Sequence, residues 1–534
     1  MSKQSKKPSF LGGAAVLAAA VAIVKVIGAV YKIPFGNIVG SQGQTYFNVA
    51  YNIYNVLLTI STAGLPLAIS KLTSQAHAQG RENQKRKIFR TAIWLFFVLG
   101  LAGSALMYFG AAQLAELIHE PLGFWPIRAL APAVFCVCLL ACMRGYTQGQ
   151  GNMTPTAISQ VLEALCKVCI GLPLAWYLLK MGMGLDIGAA GAIFGVTVGT
   201  MLSMLFLIAY LATHRDRTPS LDTPESSGAI MRQVLAIGVP ITLSNSAMSI
   251  ITLVDTSNVL GRLQTIPELA DSAATLFGQY QFGMNLINLP PSFVFPVTMS
   301  LIPFAAAAIT RKDAVEADRI VSSAFRIVAV LAIPAGVGLS VLGGSALLML
   351  YPAQYTDALA AGPHMRWLGI ACIFICLMNL TNAILQTYGK EHLPIITVII
   401  GGVTKIVVNY TLVGNPKIMI FGAPVGTLCC FAVISTLNLL IIKRAVPHPP
   451  RYLVALGKPL LASVIMAAAA WGSHGLLSRV LYGSLGKDML ATAGAILVGV
   501  VVYAVLVLAL RTLTHEDLEM MPGGKKLAKI LHIR

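Results

Sequence analysis

Residues 22–36, AIVKVIGAVYKIPFG, read as a membrane-spanning helix that contains two lysines. Lys25 and Lys32 are seven residues apart, so a helix places them on nearly the same face. A charged group at bilayer depth costs a few kcal/mol unless it finds a polar environment. The stretch therefore predicts a wet surface that Lys25 lines. Lys32 lies close to the outer helix end, where its long stem could instead reach the interface.

The composition excludes a water-soluble globule. Of the 534 residues, 56% are hydrophobic and only 11% are charged, against roughly 25% charged in an ordinary soluble domain. Fourteen apolar runs recur between residues 10 and 510, each of about the 20 residues that cross a hydrocarbon core. The nine cysteines lie in these runs and predict packing as small hydrophobic side chains, with no disulfide framework and no metal site.

The net charge of +18 reflects topology. If the N-terminus is cytoplasmic and the chain crosses at each run, 27 of the 38 lysines and arginines lie on the cytoplasmic side. This asymmetry follows the positive-inside rule. It predicts a membrane protein with both termini in the cytoplasm, in contact with anionic lipid and with no nucleic-acid partner.

Two halves of the chain are related by an internal repeat. Three landmarks recur in order at offsets of 237, 238 and 239 residues: Pro66 and Pro303, Arg128 and Arg366, and Pro155 and Pro394. Many transporters are built from such repeats. The predicted fold is all-α, with fourteen transmembrane helices arranged as two parallel six-helix repeats and a C-terminal helix pair. The predicted divisions are an N-terminal half 1–213, a cytoplasmic linker 214–231, a C-terminal half 232–444, helices 13 and 14 in 445–511, and a cytoplasmic tail 512–534.

Polar residues inside the apolar runs form stripes at helical spacing. The stripes lie in the second run at 46–70, the seventh at 233–258 and the eighth at 277–309, and their members are Asn48, Asn52, Asn55 and Thr59; Asn245, Ser249, Thr252 and Thr256; and Gln281, Asn285, Asn288 and Ser292. Hydrogen bonding between helices would explain any one of these residues. Three stripes together predict a water-filled cavity to which Lys25 and Lys32 add positive charge.

Other charged groups in the runs have different expected roles. Glu163 and Lys167 are spaced i, i+4 and predict a structural ion pair along one helix. Asp255 is a possible counter-ion or cation site, and Arg262 at the outer end of the seventh run is a possible source of further positive charge.

Proline and glycine predict which helices bend. The expected positions are Pro34, Gly36, Gly40 and Gly43 after the first run, and Pro290, Pro291, Pro296 and Pro303 in the eighth, with hinges at Pro34, Gly36, Pro290, Pro291 and Pro296. The runs contain no nucleophile with a base, no paired carboxylates and no histidine cluster of metal spacing, so the sequence predicts no enzyme and no cofactor.

The first-helix motif KVIGAVYKIPFG, the second-helix motif YNIYNVLLTISTAGLPLAISKL and the tail LTHEDLEMMPGGKKL carry a family resemblance. The chain resembles the multidrug, oligosaccharidyl-lipid and polysaccharide flippase superfamily over its whole length. Within it, the branch that holds the lipid II flippase and stage V sporulation protein B is the most similar.

The resemblance implies a monomer that moves an undecaprenyl-pyrophosphate-linked cell-wall precursor from the inner to the outer leaflet, with Lys25 and Lys32 at the family's basic positions. Asn285 stands where Gram-negative members carry a basic residue. A flippase for capsule or teichoic acid units, a role in the spore cortex and a cation-coupled drug antiporter remain open, as does the choice between a coupling ion and the membrane potential. Independently of the resemblance, lysines suit a pyrophosphate group and amides suit sugars and peptides.

Overall fold

Helices account for every regular element that the structure describes. It is a computed structural model that describes residues 10–214, 220–445, 452–480, 485–510 and 512. Within these ranges, eleven helices are long and apolar enough to cross a membrane, or twelve if a bent pair counts as one span. The prediction of an all-helical, multi-pass membrane protein is confirmed. The predicted tail lies outside the described residues except for Thr512.

The two first runs of the sequence form one long, kinked helix, α1 (Phe10–Thr62). Together with the following helix α2 (Leu65–Ala78), it belongs to an apolar segment of 60 residues, Ala19–Ala78. A straight helix of that length would measure about 90 Å, about three times the hydrocarbon core. Its non-helical residue is Gly40, with φ 70° and ψ −174°, a backbone conformation that favours glycine because it has no Cβ.

The packing of the chain separates two units, Met1–Gly261 and Arg262–Arg534. In the first unit, α1 and α2 are followed by α3 (Glu82–Phe109), α4 (Ala111–Leu117), α5 (Phe124–Gly149), α6 (Thr154–Cys166), a π-helical turn (Lys167–Gly171), α7 (Leu172–Lys180), α8 (Leu185–Thr213) and α9 (Ser227–Gln264). Helix α5 packs against α1, α3 and α8 and contains the largest share of buried residues among the spans. Most of α9, which the sequence assigns to the second half, packs within this unit.

The segment before α9 is fastened to the beginning of α3. The Asp222 carboxylate accepts hydrogen bonds from the backbone N–H groups of Asn83 and Gln84, at 2.9 and 2.8 Å. These N–H groups belong to the first turn of α3, which has no cap from its own N-cap side chain. Asp222 therefore caps the helix from a distant part of the chain.

Among the residues that the structure describes, the second unit contains nine α-helices after Arg262. They are α10 (Ala273–Ile287), α11 (Leu289–Thr310), α12 (Ala314–Leu350), α13 (Tyr355–Ala361), α14 (Met365–Thr387), α15 (His392–Val413), α16 (Gly422–Ala445), α17 (Tyr452–Val480) and α18 (Leu485–Ala509). Helix α12 packs against α11, α14 and α17, and α15 packs against α16. The eighth apolar run is divided into α10 and α11 at Asn288.

Candidate functional site

The two lysines of the opening stretch lie on the helical limb of α1 that precedes Gly40. Lys25 is exposed and has a partner within the fold, whereas Lys32 is partly buried. Their seven-residue spacing places them on nearly the same face of this limb. In the part of the chain that the structure describes, Lys32 forms no salt bridge.

Aromatic rings connect the two limbs of α1 across its kink. Tyr31 stacks on Phe35 with ring centroids 5.6 Å apart, Phe35 lies 4.6 Å from Phe47, and Phe47 stacks on Tyr51 at 5.5 Å. Tyr31, Phe35 and Phe47 are nearly inaccessible to solvent. The chain therefore builds a continuous aromatic surface beside Lys32.

A third lysine, Lys167, lies over this aromatic surface. Its Nζ is 4.6 Å from the ring centroid of Tyr31, 4.7 Å from that of Tyr51 and 5.5 Å from that of Phe47. These are cation–π distances. Lys167 also lies close enough to Lys32 for electrostatic repulsion.

The predicted ion pair between Glu163 and Lys167 is wrong. Glu163 Oε2 instead accepts a hydrogen bond from Arg144 Nη2 on α5 at 3.2 Å. Arg144 also donates from Nε to the Ser159 hydroxyl at 2.9 Å. A guanidinium with several donors satisfies both acceptors at once, which one ammonium on the same helix cannot match. Glu163 is therefore paired with Arg144, and Lys167 contacts the aromatic rings instead.

The polar stripes of α1 and α9 bond to each other. Asn52 Nδ2 donates to the Thr256 hydroxyl at 2.9 Å, and the hydroxyls of Thr59 and Ser249 share a hydrogen bond of 3.0 Å. The interhelical explanation therefore holds for these residues. Asn245 donates to the carbonyl of Ile241 on its own helix, at 2.9 Å.

Other polar atoms near these helices lack partners. Among the described residues, the buried hydroxyls of Tyr31 and Tyr54 and the buried Nδ2 of Asn48 have no hydrogen-bond partner in the protein. Asn55 lies one helical turn before Thr59, whose hydroxyl donates to the Asn55 carbonyl at 2.7 Å. Buried polar atoms without partners are costly, so they indicate positions that water or a ligand satisfies.

In the second unit, the polar residues of the eighth run differ in whether their side chains are hydrogen-bonded. Asn288 donates to the Met284 carbonyl at 2.7 Å and ends α10. Asn285 is 3% exposed, and its amide lies near the Tyr351 hydroxyl, but neither its Nδ2 nor its Oδ1 makes a hydrogen bond of good geometry among the described residues. Gln281, one turn earlier, is partly buried. Asn285 is therefore the member of this stripe whose environment most indicates a polar ligand.

Asp255 and Arg262 both have partners within the fold. Asp255 is 4% exposed and is engaged in an interaction. Arg262 donates from Nε to the Tyr410 carbonyl at 3.1 Å, and its guanidinium carbon lies 4.3 Å from the centre of the Tyr410 ring. The contact with α15 explains Arg262 as a packing residue of the second unit.

The backbone break in α1 falls at one of the four expected bending positions. The helix of α1 continues through Pro34 and Gly36 and is interrupted at Gly40. Pro290 and Pro291 lie in the first turn of α11. The N–H groups of a first turn have no carbonyl acceptor within their own helix, so the missing N–H of proline costs little there. The backbone of α11 continues through Pro296. Pro290 and Pro291 therefore begin a helix after the break at Asn288.

The fold and these charged and amide surfaces define a helical, multi-pass membrane protein with a basic, aromatic region in its first unit. The sequence pattern of the family described as polysaccharide biosynthesis protein matches residues 10–309. The chain belongs to this family, and the resemblance to the flippase superfamily is confirmed.

Relatives support the same assignment. Lipid II flippase MurJ of Bacillus subtilis (strain 168) is 25% identical over 421 residues, which are 76% of this chain and 77% of the relative. Stage V sporulation protein B of the same organism is 22% identical over 522 residues, which are 97% of this chain and 98% of the relative. A solved structure of lipid II flippase MurJ in an inward closed conformation matches with a TM-score of 0.68 at 15% identity, covering 92% of this chain and 97% of that chain.

The sequence pattern did not reveal the aromatic surface or the role of Arg144. The surface had a local signal, since Tyr31 and Phe35, like Phe47 and Tyr51, are spaced i, i+4. Arg144 had none, because it is 19 residues from Glu163 and meets it only through helix packing.

Proposed function

We propose that this protein is a flippase that moves an undecaprenyl-pyrophosphate-linked cell-wall precursor, lipid II, from the inner to the outer leaflet. The observation that carries the proposal is that Lys167 lies over the aromatic surface and within electrostatic reach of Lys32, and that neither lysine forms a salt bridge among the described residues. A diphosphate is the part of such a substrate that two ammonium groups would bind. Lys25, on the same limb of α1 as Lys32, would add a third charge at the entrance to this region.

The remaining parts of the substrate have suitable surfaces too. The Nδ2 donor of Asn48 and the two amide atoms of Asn285, which have no hydrogen-bond partner of good geometry among the described residues, would bind sugar and peptide groups. Within the second unit, a cavity of about 530 Å³ is lined by apolar side chains such as Leu289, Leu331 and Met466. A surface of this kind suits a hydrocarbon chain. Transport would proceed by alternating access through a central cationic cavity.

The proposal includes the topology. We propose fourteen crossings, in which the 60-residue segment that contains α1 supplies two of them, and an arrangement of two six-helix repeats followed by a helix pair. Both termini would lie in the cytoplasm, because that orientation places 27 of 38 basic residues there. The protein would act as a monomer in the bacterial cytoplasmic membrane.

A second candidate substrate is a lipid-linked polysaccharide unit such as a capsule or teichoic acid precursor. The match to the polysaccharide biosynthesis protein family favours it. Both substrates are carried on a polyprenyl phosphate, so the lysines would serve either one. The sugar and peptide portions distinguish them.

The experiment is complementation of a bacterial strain depleted of its lipid II flippase, scored by survival and by labelled lipid II in the outer leaflet. The wild-type chain should rescue the strain, and the K25E and K32E variants should not. K180E is the matched control, because Lys180 is an exposed lysine whose ammonium group likewise lies over an aromatic ring, 4.9 Å from the centre of Trp176. Absence of lipid II in the outer leaflet at normal expression would contradict the lipid II proposal and direct the search to the polysaccharide units.

A further inference from the structure

Lys167 occupies the middle of its membrane span. The span covers Thr154–Lys180, so Lys167 is 13 residues from each end, which is about 20 Å along a helix. The stem of a lysine reaches only about 6 Å, so the ammonium group cannot reach either interface. A charge at this depth is costly and is seldom retained without a function.

The local backbone at Lys167 is also unusual. Lys167 begins the π-helical turn Lys167–Gly171, and such single turns in α-helices are often found at functional sites. The turn is held against α8 by close backbone contact. A Cβ on Gly171 would meet the Ala192 carbonyl oxygen at 2.5 Å, and a Cβ on Gly195 would meet Gly171 Cα at 2.5 Å.

The direct contacts of the ammonium group are with rings, and the nearby Glu163 carboxylate attracts it without forming a salt bridge among the described residues. Tyr31, Phe47 and Tyr51 surround it at 4.6 to 5.5 Å, and Glu163 is engaged by Arg144. Ring faces hold a cation more weakly than an anion does, and they lack the lone-pair oxygen atoms that accept strong hydrogen bonds from an ammonium group. These three rings, which form a cage around the ammonium group, therefore hold the Lys167 side chain in place, and no hydrogen-bond acceptor among the described residues engages its N–H donors.

We propose that Lys167 is a phosphate-binding residue of the transport site and that a diphosphate oxygen of the lipid-linked substrate replaces the ring cage as its partner. The inference rests on the proposed flippase function. It adds Lys167, which begins the π-helical turn after α6 and therefore lies outside α1. Because the cage rings come from both limbs of α1, substrate binding at Lys167 loosens contacts on both sides of Gly40.

The test uses the purified full-length protein and undecaprenyl pyrophosphate as the probe, with affinity measured by native mass spectrometry. K167Q should weaken binding about tenfold, which corresponds to about 1.4 kcal/mol. The loss should be smaller for undecaprenyl monophosphate, because one phosphate needs fewer cations. K167R should keep most of the affinity, and K180Q, the matched lysine over Trp176, should bind as the wild type does.

A second variant makes the test independent of the folding of K167Q. The Y51L variant removes one ring of the cage, so Lys167 becomes easier to release and the affinity for the diphosphate should rise about threefold. Wild-type affinity in both K167Q and Y51L, together with weakened binding in K32Q, would overturn the role of Lys167 and leave the flippase proposal standing. No binding of undecaprenyl pyrophosphate by the wild type would overturn both.

Discussion

At the scale of single residues, Glu120 gives the fold a dependence on pH. Glu120 lies in the connection between α4 and α5, outside the membrane spans, and is 6% exposed. Burial raises the pKa of its carboxyl group to about 7, although a hydrogen bond from the Leu122 backbone opposes the shift. The folded state therefore favours the protonated form.

The stability that Glu120 contributes is fully present below its unfolded pKa of 4.5 and is lost as pH rises through about 7. We expect the wild type to lose about 2 kcal/mol between pH 5 and pH 8 from this group, measured as a fall in Tm of the purified protein. E120Q should remove this part of the pH dependence. The control E116Q, at an exposed carboxylate on α4, should not. An identical pH profile in E120Q and the wild type would refute the role of Glu120.

At the scale of helices, the end of α1 and the beginning of α2 approach α9 at two glycines. A Cβ on Gly64 would lie 2.0 Å from the Gly238 carbonyl oxygen, and the Gly64 N–H donates to the Thr242 hydroxyl at 3.2 Å. The Asn52–Thr256 and Thr59–Ser249 hydrogen bonds also join α1 to α9. The small residues therefore determine how closely these helices pack.

We expect G64A to destabilise the protein by about 1–3 kcal/mol, since backbone must move to admit the methyl group. Thermal unfolding in detergent measures the change, and transport should fall with it. The control is G28A on α1, where an added Cβ meets nothing within 4 Å. Equal Tm values for G64A and G28A would show that the close approach of α1, α2 and α9 is not required.

The connection before α9 caps the beginning of α3 through the Asp222 carboxylate. Burial alone would raise the pKa of Asp222, but hydrogen bonds from the Ser220 hydroxyl and from the Asn83 and Gln84 amides, with the charge of Arg81, hold it below its ordinary value of 3.8. The cap on α3 is therefore complete above pH 3.8 and weakens as pH falls through the lowered pKa.

D222N should weaken the cap, because an amide is a poorer acceptor for two N–H groups than a carboxylate. Hydrogen exchange at the Asn83 and Gln84 amides should become about tenfold faster, and exchange at Glu225, whose N–H donates to Gln84 Oε1 at 2.7 Å, should follow. D313N is the control, since Asp313 caps its own helix α12 through the Glu316 N–H. Unchanged exchange in D222N would mean that α3 does not need this cap.

At the scale of the whole molecule, the sequence predicted what depends on composition and local spacing. The membrane class followed from the apolar runs, and the family followed from motifs in α1, α2 and the tail. The partner of Glu163 was missed because helical spacing favours Lys167, whereas tertiary packing brings Arg144 to it. The bend of α1 shows a similar limit, since the sequence marks Pro34, Gly36, Gly40 and Gly43 as residues able to bend a helix but does not tell which of them the packing uses. In the structure it is Gly40.

The polar stripes show the same limit of prediction from sequence spacing. Spacing identified Asn52 and Thr256 as polar members of two helices, but only the structure shows that these two side chains bond to each other. Asn285 has the same kind of signal in the sequence and a different environment, with neither amide atom making a hydrogen bond of good geometry among the described residues. Periodicity therefore predicts a polar face and cannot tell a helix contact from a ligand contact.

The central claim is that the lysines beside the aromatic surface carry a diphosphate across the membrane. Its most direct test is the rate at which labelled lipid II in proteoliposomes becomes accessible to a reagent that cannot cross the bilayer. The account predicts rapid exposure by the wild type, a loss of at least about tenfold in K32E, and wild-type exposure in K180E. Exposure at the protein-free rate by the folded wild type, or at the wild-type rate by K32E, would contradict it.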